Sequence, residues 1–241
     1  MNTTIDEIAP DIFRLSTLVA EAAPGGFSFN QFLVRDEQPF LFHTGMRQLY
    51  PSVSAAVSRI IDLADLRWIS FGHVEADECG AMNLFLADAP QAEVIHGATA
   101  VFVSLNDLAD RPPRIVDDAP LVLGTHSLRF ISTPHVPHAW ESGLWFDETT
   151  RTLFSGDLFS HAGDTPAIVE DDIVAAALVA EEMFHSTSAG PDLLPTLERL
   201  AELEPTTLAV MHGASYRGDG ATQLRALAAG YAAARADVSL V

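Results

Sequence analysis

Four short apolar runs in this chain each lead into a side chain that can bind a metal ion. Leu66 to Phe71 precedes His73, Ser127 to Ser132 precedes His138, Thr152 to Ser155 precedes Asp157, and Thr207 to Met211 precedes His212. Each run has the length and composition of a β-strand. Groups so far apart in sequence share one site only if the strands end along one edge of a sheet or of a sheet pair, which narrows the fold to layered arrangements with a common functional rim.

The first of these sites is the densest. Gly72-His73-Val74-Glu75-Ala76-Asp77-Glu78-Cys79-Gly80 lies between the strand and a helical run from Ala81 to Leu86. His73, Glu75 and Asp77 occupy alternate positions, so in an extended loop all three side chains point the same way. Cys79 is the only cysteine, which excludes an internal disulfide framework and a cysteine-based zinc cluster, so any metal must be held by imidazole and carboxylate. Among the other histidines, His135 rivals His138 as a ligand. His161, four residues after Asp157, reads either as a proton donor on the distal side of the metals or as a surface residue. His43, His96, His126 and His185 have no such context and read as ordinary residues. Glu78 reads as a hydrogen-bonded or solvated carboxylate or a spare oxygen ligand, and Cys79 as a small packed side chain. Trp140, Trp145, Phe154 and Phe159 flank the ligands; they read first as packing residues and second as a dry wall beside the site.

The remaining sequence supplies layers. Ile8 to Leu15, Gln31 to Val34 and Phe40 to His43 are strand-like, Pro51 to Ala64 has helical spacing, Glu93 to Ile95 is a buried strand and Ala98 to Leu105 a short helix. After Arg111-Pro112-Pro113, Leu121 to Leu123, Ser127 to Ser132, Gly143 to Asp147 and Thr152 to Ser155 read as hairpin strands. Asp171 to Phe184, Pro191 to Leu203 and Gly220 to Ala236 read as helices. Two β-rich halves with helices predict two sheets face to face with helices outside, in one domain over residues 1–241. With 33 acidic against 13 basic residues the formal charge is −20, which repels nucleic acid and anionic lipid. No apolar stretch is long enough to span a bilayer, and the acidic N-terminus is unlike a signal peptide; the expectation is a cytoplasmic protein with neither nucleic acid nor membrane as partner.

These residues resemble the metallo-β-lactamase fold superfamily, whose loop reads His-x-His-x-Asp-His. Here Glu75 and Glu78 stand in place of the second and last histidines. His-x-Glu-x-Asp is similar to the di-iron branch, the flavodiiron proteins and their stand-alone oxygen-binding relatives. His138-Ala139-Trp140-Glu141-Ser142 resembles that branch's His-Trp-Pro-Asp-Ser, and Leu153-Phe154-Ser155-Gly156-Asp157-Leu158-Phe159 resembles its Leu-Phe-Ser-Asn-Asp-Ala-Phe. The resemblance implies an α/β, four-layer αββα metallo-β-lactamase-like sandwich. It further implies one iron on His73, Glu75, His138 and Asp157 and another on Asp77, Asp157 and His212, with Asp157 bridging.

Two iron ions with an oxo or hydroxo bridge are the implied cofactor, zinc or manganese the alternatives. Mixed imidazole and carboxylate donors suit non-haem iron or manganese better than tetrahedral zinc. The resemblance also implies binding of dioxygen or nitric oxide, as a sensor or as an oxidoreductase, and a homodimer. No flavodoxin domain and no bound FMN are expected of this chain, so turnover would require a separate flavoprotein or rubredoxin-like electron donor. The alternative is a binuclear hydrolase of an ester, thioester or phosphodiester.

Overall fold

The computed structural model describes residues 2–238; Met1 and residues 239–241 of the expected domain lie outside the described residues. Its first sheet contains β1 (Thr3–Ala9), β2 (Ile12–Val19), β3 (Phe27–Val34), β4 (Phe40–Phe42), β5 (Trp68–Ser70), β6 (Glu93–His96) and β7 (Arg114–Ile115), in that spatial order. It is antiparallel from β1 to β4 and parallel from β4 onward. Helices α1 (Tyr50–Val57), α2 (Ala76–Cys79), α3 (Met82–Asp88), α4 (Ala98–Ala100) and α5 (Asn106–Leu108) connect its later strands.

The second sheet is built from β8 (Leu121–Val122), β9 (Ser127–Ser132), β10 (Gly143–Asp147), β11 (Thr152–Gly156), β12 (Ile168–Val169), β13 (Thr207–Val210) and β14 (Ser215–Arg217), ordered β12-β14-β13-β11-β10-β9-β8. Helices α6 (Val174–Phe184), α7 (Leu193–Ala201) and α8 (Gly220–Val238) accompany it.

Alternation along the strands explains why the layers stack. In β4, Phe40 and Phe42 enter the core between the sheets while Leu41 packs on the side of α1 and α3. In β10, Trp145 faces the same central core and Leu144 and Phe146 face α7 and α8. A period of two with both faces buried is what an inner sheet of a four-layer sandwich requires. The αββα architecture expected from the sequence is therefore the one observed.

Phe154 sits at the centre, fully buried, with ring centroids 5.5 Å from Phe42, 6.0 Å from Phe32 and 6.2 Å from Phe40. Phe154→Ala is expected to cost about 3–5 kcal/mol through lost burial and the cavity left behind, measured by chemical denaturation.

Several elements depart from the sequence reading. Ile8 to Leu15 is not one strand but the end of β1, a turn and the start of β2. Pro10 brings no N–H to a ladder, Asp11 adopts φ 56, and the Glu7 carboxylate accepts the Asp11 N–H at 2.9 Å. The helix expected over Pro51 to Ala64 stops at Val57, and Asp62 then accepts the Ala64 N–H at 3.0 Å to start a separate turn. Short strands β7, β12 and β14 were not legible as strands at all.

Candidate metal centre

β4 and β5 run parallel, as do β11 and β13, while β9 is related to β11 through the antiparallel β10. Their C-terminal ends accordingly reach one rim, where hydrogen bonds stitch the sheets together: Gly143 N–H to Gly72 O at 2.8 Å and Asn30 N–H to Met211 O at 2.9 Å. On this rim the loop after β5 faces the loops after β9, β11 and β13.

The His73 loop is folded around a buried carboxylate. Glu78 Oε2 accepts the N–H groups of Gly72 and His73, each at 2.6 Å. A Cβ on residue 72 would lie 3.0 Å and 3.1 Å from the two Glu78 oxygens, so glycine there makes room for the carboxylate. Glu78 Oε1 is 3.2 Å from His73 Nδ1, which favours the proton on that nitrogen and leaves Nε2 for the rim. From the opposite sheet Glu141 Oε1 accepts the Val74 N–H at 3.2 Å.

His73 Nε2 lies 2.8 Å from Glu75 Oε2 and 2.8 Å from His138 Nε2. The latter is 3.3 Å from Glu75 Oε2 and 3.5 Å from Asp157 Oδ2. Ligand atoms of His73, Glu75, His138 and Asp157 all fall within 4.8 Å of one another. Donors about 2.1 Å from one ion stand roughly 3 Å apart at right angles, so these separations suit a shared cation. His135, by contrast, is exposed and directs its backbone N–H to Ala139 O at 2.8 Å; the structure brings His138 to the cluster and not His135.

A second group adjoins the first. His212 Nε2 is 3.3 Å from Asp77 Oδ2 and 3.3 Å from Asp157 Oδ1. Asp157 thus turns one oxygen to each group. It follows Gly156, which has φ 52, at a shift in the β11–β13 register, a bulge of the kind that re-aims a side chain. His212 Nδ1 donates to Ser28 O at 2.8 Å, and its ring stacks on Phe27 at 4.3 Å and meets the edge of Phe29 at 5.1 Å.

Electrostatics at the rim show a demand for positive charge. Burial opposes protonation of His73, but Glu78, Glu75 and Asp157 outweigh it and push the imidazole up to about 11. His212 is likewise raised to about 10 against burial, by Asp157 and Asp77. Hydrogen bonding to His138 and His73 holds Glu75 far below the ordinary carboxylate range. With no metal, protons on the imidazoles balance the carboxylates; a cation can take their place.

Several residues behave differently from expectation. His161 is buried, its Nδ1 donates to Phe159 O at 2.8 Å and its Nε2 accepts the Ala214 N–H at 3.0 Å. Both nitrogens are used on backbone, and burial lowers its pKa. In this arrangement neither nitrogen is aimed at the cluster as the proton donor considered from sequence, nor is the residue on the surface. Trp145 and Phe154 belong to the inter-sheet core and Phe159 packs beside the outer helices, in keeping with their reading as packing residues, whereas Trp140 is exposed; the apolar wall beside the site is formed by Phe27 and Phe29. His43, which reads as an ordinary residue in the sequence, is fully buried, donates from Nδ1 to Asn30 O at 3.3 Å and places Nε2 3.6 Å from Glu78 Oε1. Its signal was the one already used elsewhere, a polar side chain just beyond an apolar strand, here β4.

Residues 27–213 match the family described as ODP family beta lactamase. The chain belongs to this family. Its ODP domain is 29% identical over 202 residues to a Synechocystis sp. protein carried under the name diflavin flavoprotein A 2, matching 78% of this chain and 33% of that one. It is 26% identical over 210 residues to the anaerobic nitric oxide reductase flavorubredoxin of Salmonella arizonae, matching 83% of this chain and 43% of that protein. The chain therefore spans about a third to under half of the length of these curated relatives. In fold it resembles the rubredoxin oxygen:oxidoreductase of the anaerobe Desulfovibrio gigas, with 18% identity and a TM-score of 0.81 over 95% of this chain and 60% of that one. Among the described residues no helix is long and apolar enough to cross a membrane.

Proposed function

We propose that this ODP chain is a non-haem di-iron protein that binds dioxygen or nitric oxide, and reduces it when a flavin or rubredoxin-like donor supplies electrons. The observation that carries the reading is the division of Asp157, one oxygen toward His73 and His138 and the other toward His212. A carboxylate so placed can serve two cations at once, whereas the divergent nitrogens of an imidazole cannot. His73, Glu75 and His138 would complete one position and Asp77 and His212 the other.

Two ferrous ions, when bound, supply the electrons and open coordination positions that a diatomic gas requires. The chain's own residues supply the rest. Three carboxylates offset most of the charge of two divalent ions, and their oxygens favour iron or manganese over zinc. Phe27 and Phe29 cover the His212 ring and keep water from that side. Glu75, with its side chain 54% exposed, marks the open side through which a small ligand enters. The net charge of −20 favours a basic electron donor.

The test is metal analysis of protein made in iron-replete medium, followed by addition of dioxygen or nitric oxide to the reduced form. Two irons per chain and a new visible absorption on adding gas are expected. Zinc, no chromophore and turnover of a generic thioester or phosphodiester would sink the proposal.

A further inference from the structure

We propose that Glu78, backed by His43, is a positioning residue for the metal pair, holding His73 by its ring and by its backbone together. The inference rests on the di-metal reading above and assigns a purpose to the departure at position 78, where the wider superfamily's loop carries histidine.

The argument is one of donors and acceptors. Glu78 is fully buried: Oε2 takes the N–H groups of Gly72 and His73, and Oε1 lies 3.2 Å from His73 Nδ1 in an ion-pair contact, with the His43 ring edge behind it at 3.6 Å. A carboxylate accepts through both oxygens and donates through neither. Glutamine at this place must turn its NH₂ either toward the two backbone N–H groups or toward His73 Nδ1–H, so one set loses its acceptor. Neutral histidine offers a single lone pair for the same three donors. Glycine at 72 gives the carboxylate its space.

Behind the carboxylate stands His43, anchored by Nδ1 to Asn30 O at 3.3 Å. Asn30 in turn donates from Nδ2 to Val210 O at 2.8 Å and Gly213 O at 2.9 Å, on either side of His212. The row His43, Glu78, His73 has side-chain exposures of 0%, 1% and 3%, so water does not substitute for any of these contacts. A ligand imidazole whose second nitrogen donates to a fixed carboxylate is held in orientation and made a stronger electron donor, and losing such a partner weakens metal binding about 10–100-fold.

Because Glu78 touches His73 and not His212, its loss should act on one metal position. The experiment is a cobalt(II) titration of the metal-stripped 241-residue chain, read by visible d–d absorption, with thermal unfolding of the stripped protein alongside. Wild type is expected to take up two cobalt ions. In Glu78→Gln one uptake step should weaken about 10–100-fold with an altered visible spectrum, and the other should stay within about twofold of wild type. His43→Ala, which leaves the His73 loop intact and serves if Glu78→Gln does not fold, should weaken the same step alone, by a smaller factor.

Both steps and spectra unchanged in the variants would overturn the proposal. So would an equal weakening of both steps accompanied by a lower unfolding temperature of the stripped protein, since that marks simple support of the turn. A wild type that binds fewer than two cobalt ions overturns the di-metal reading and this proposal together.

Discussion

Asp157→Asn is expected to reduce bound metal from two ions per chain to at most one. The amide keeps the shape of the side chain but has one acceptor oxygen, and its nitrogen has no lone pair to give a cation. Whichever way the amide turns, either the group of His73, Glu75 and His138 or the group of Asp77 and His212 loses a donor that now stands 3.3–3.9 Å from its imidazoles. Affinity for the deprived position should fall at least about 100-fold, the upper end of what loss of a mere outer-shell partner costs. Metal analysis after dialysis, with circular dichroism to verify folding, measures it. Two tightly held ions in the variant would rule out a bridging Asp157.

The second large effect is a dependence on pH that runs opposite to the usual acid lability. In the metal-free chain His73 titrates near 11 and His212 near 10, both far above the 6.5 of a free imidazole. Between those limits the folded state binds more protons than the unfolded one, so stability falls as pH rises. The contribution is complete below about pH 6.5 and is lost as pH climbs toward 10–11. Asp157 has the other sign: burial works against its charge, but His212, His73 and His138 hold the carboxyl at about 2, so its contribution is lost only as pH drops from about 3.8 toward that value. Stripped protein is thus expected to unfold at progressively lower temperature from pH 6.5 to 10.

Metal uptake should release protons and tighten with pH over the same range, because ion and protons compete for the same lone pairs. Thermal scans of chelator-treated protein and titrations in weak buffer measure the two arms. A stripped protein that gains stability from pH 6.5 to 9 would contradict the assignment.

Much of this fold could be read from the chain because its strands declare themselves locally. Ser127–Ser132 and Gly143–Asp147 are bounded by turn residues and match β9 and β10 to the residue. β7 could not be found that way: Arg114 and Ile115 are exposed, and only pairing with Ile95 and His96 makes them a strand. The same contrast holds at the rim. His73, Glu75 and Asp77 are legible as a run of ligand-type side chains after a strand, although Asp77 lies in α2 and turns to His212 rather than sharing one extended face with the other two, and His138, Asp157 and His212 are legible because each follows a strand. His43 also follows an apolar strand, but its role comes from Asn30 on the neighbouring β3 and from Glu78 on α2, which only the fold brings near. Phe27 and Phe29 line the site from a strand with no ligand of its own, so nothing in their local sequence announces it.

His73, Glu75 and Asp77 hang from one sheet and His138, Asp157 and His212 from the other. On the proposed reading, an ion seated among them would act as a rivet driven through two plates. By mass action its occupancy and the closed register of the two halves reinforce each other. Any slip between the plates, even one begun far away beside Phe40 or Trp145, reaches the ions as lost affinity, so metal content doubles as a gauge of how well the two halves of this chain are seated.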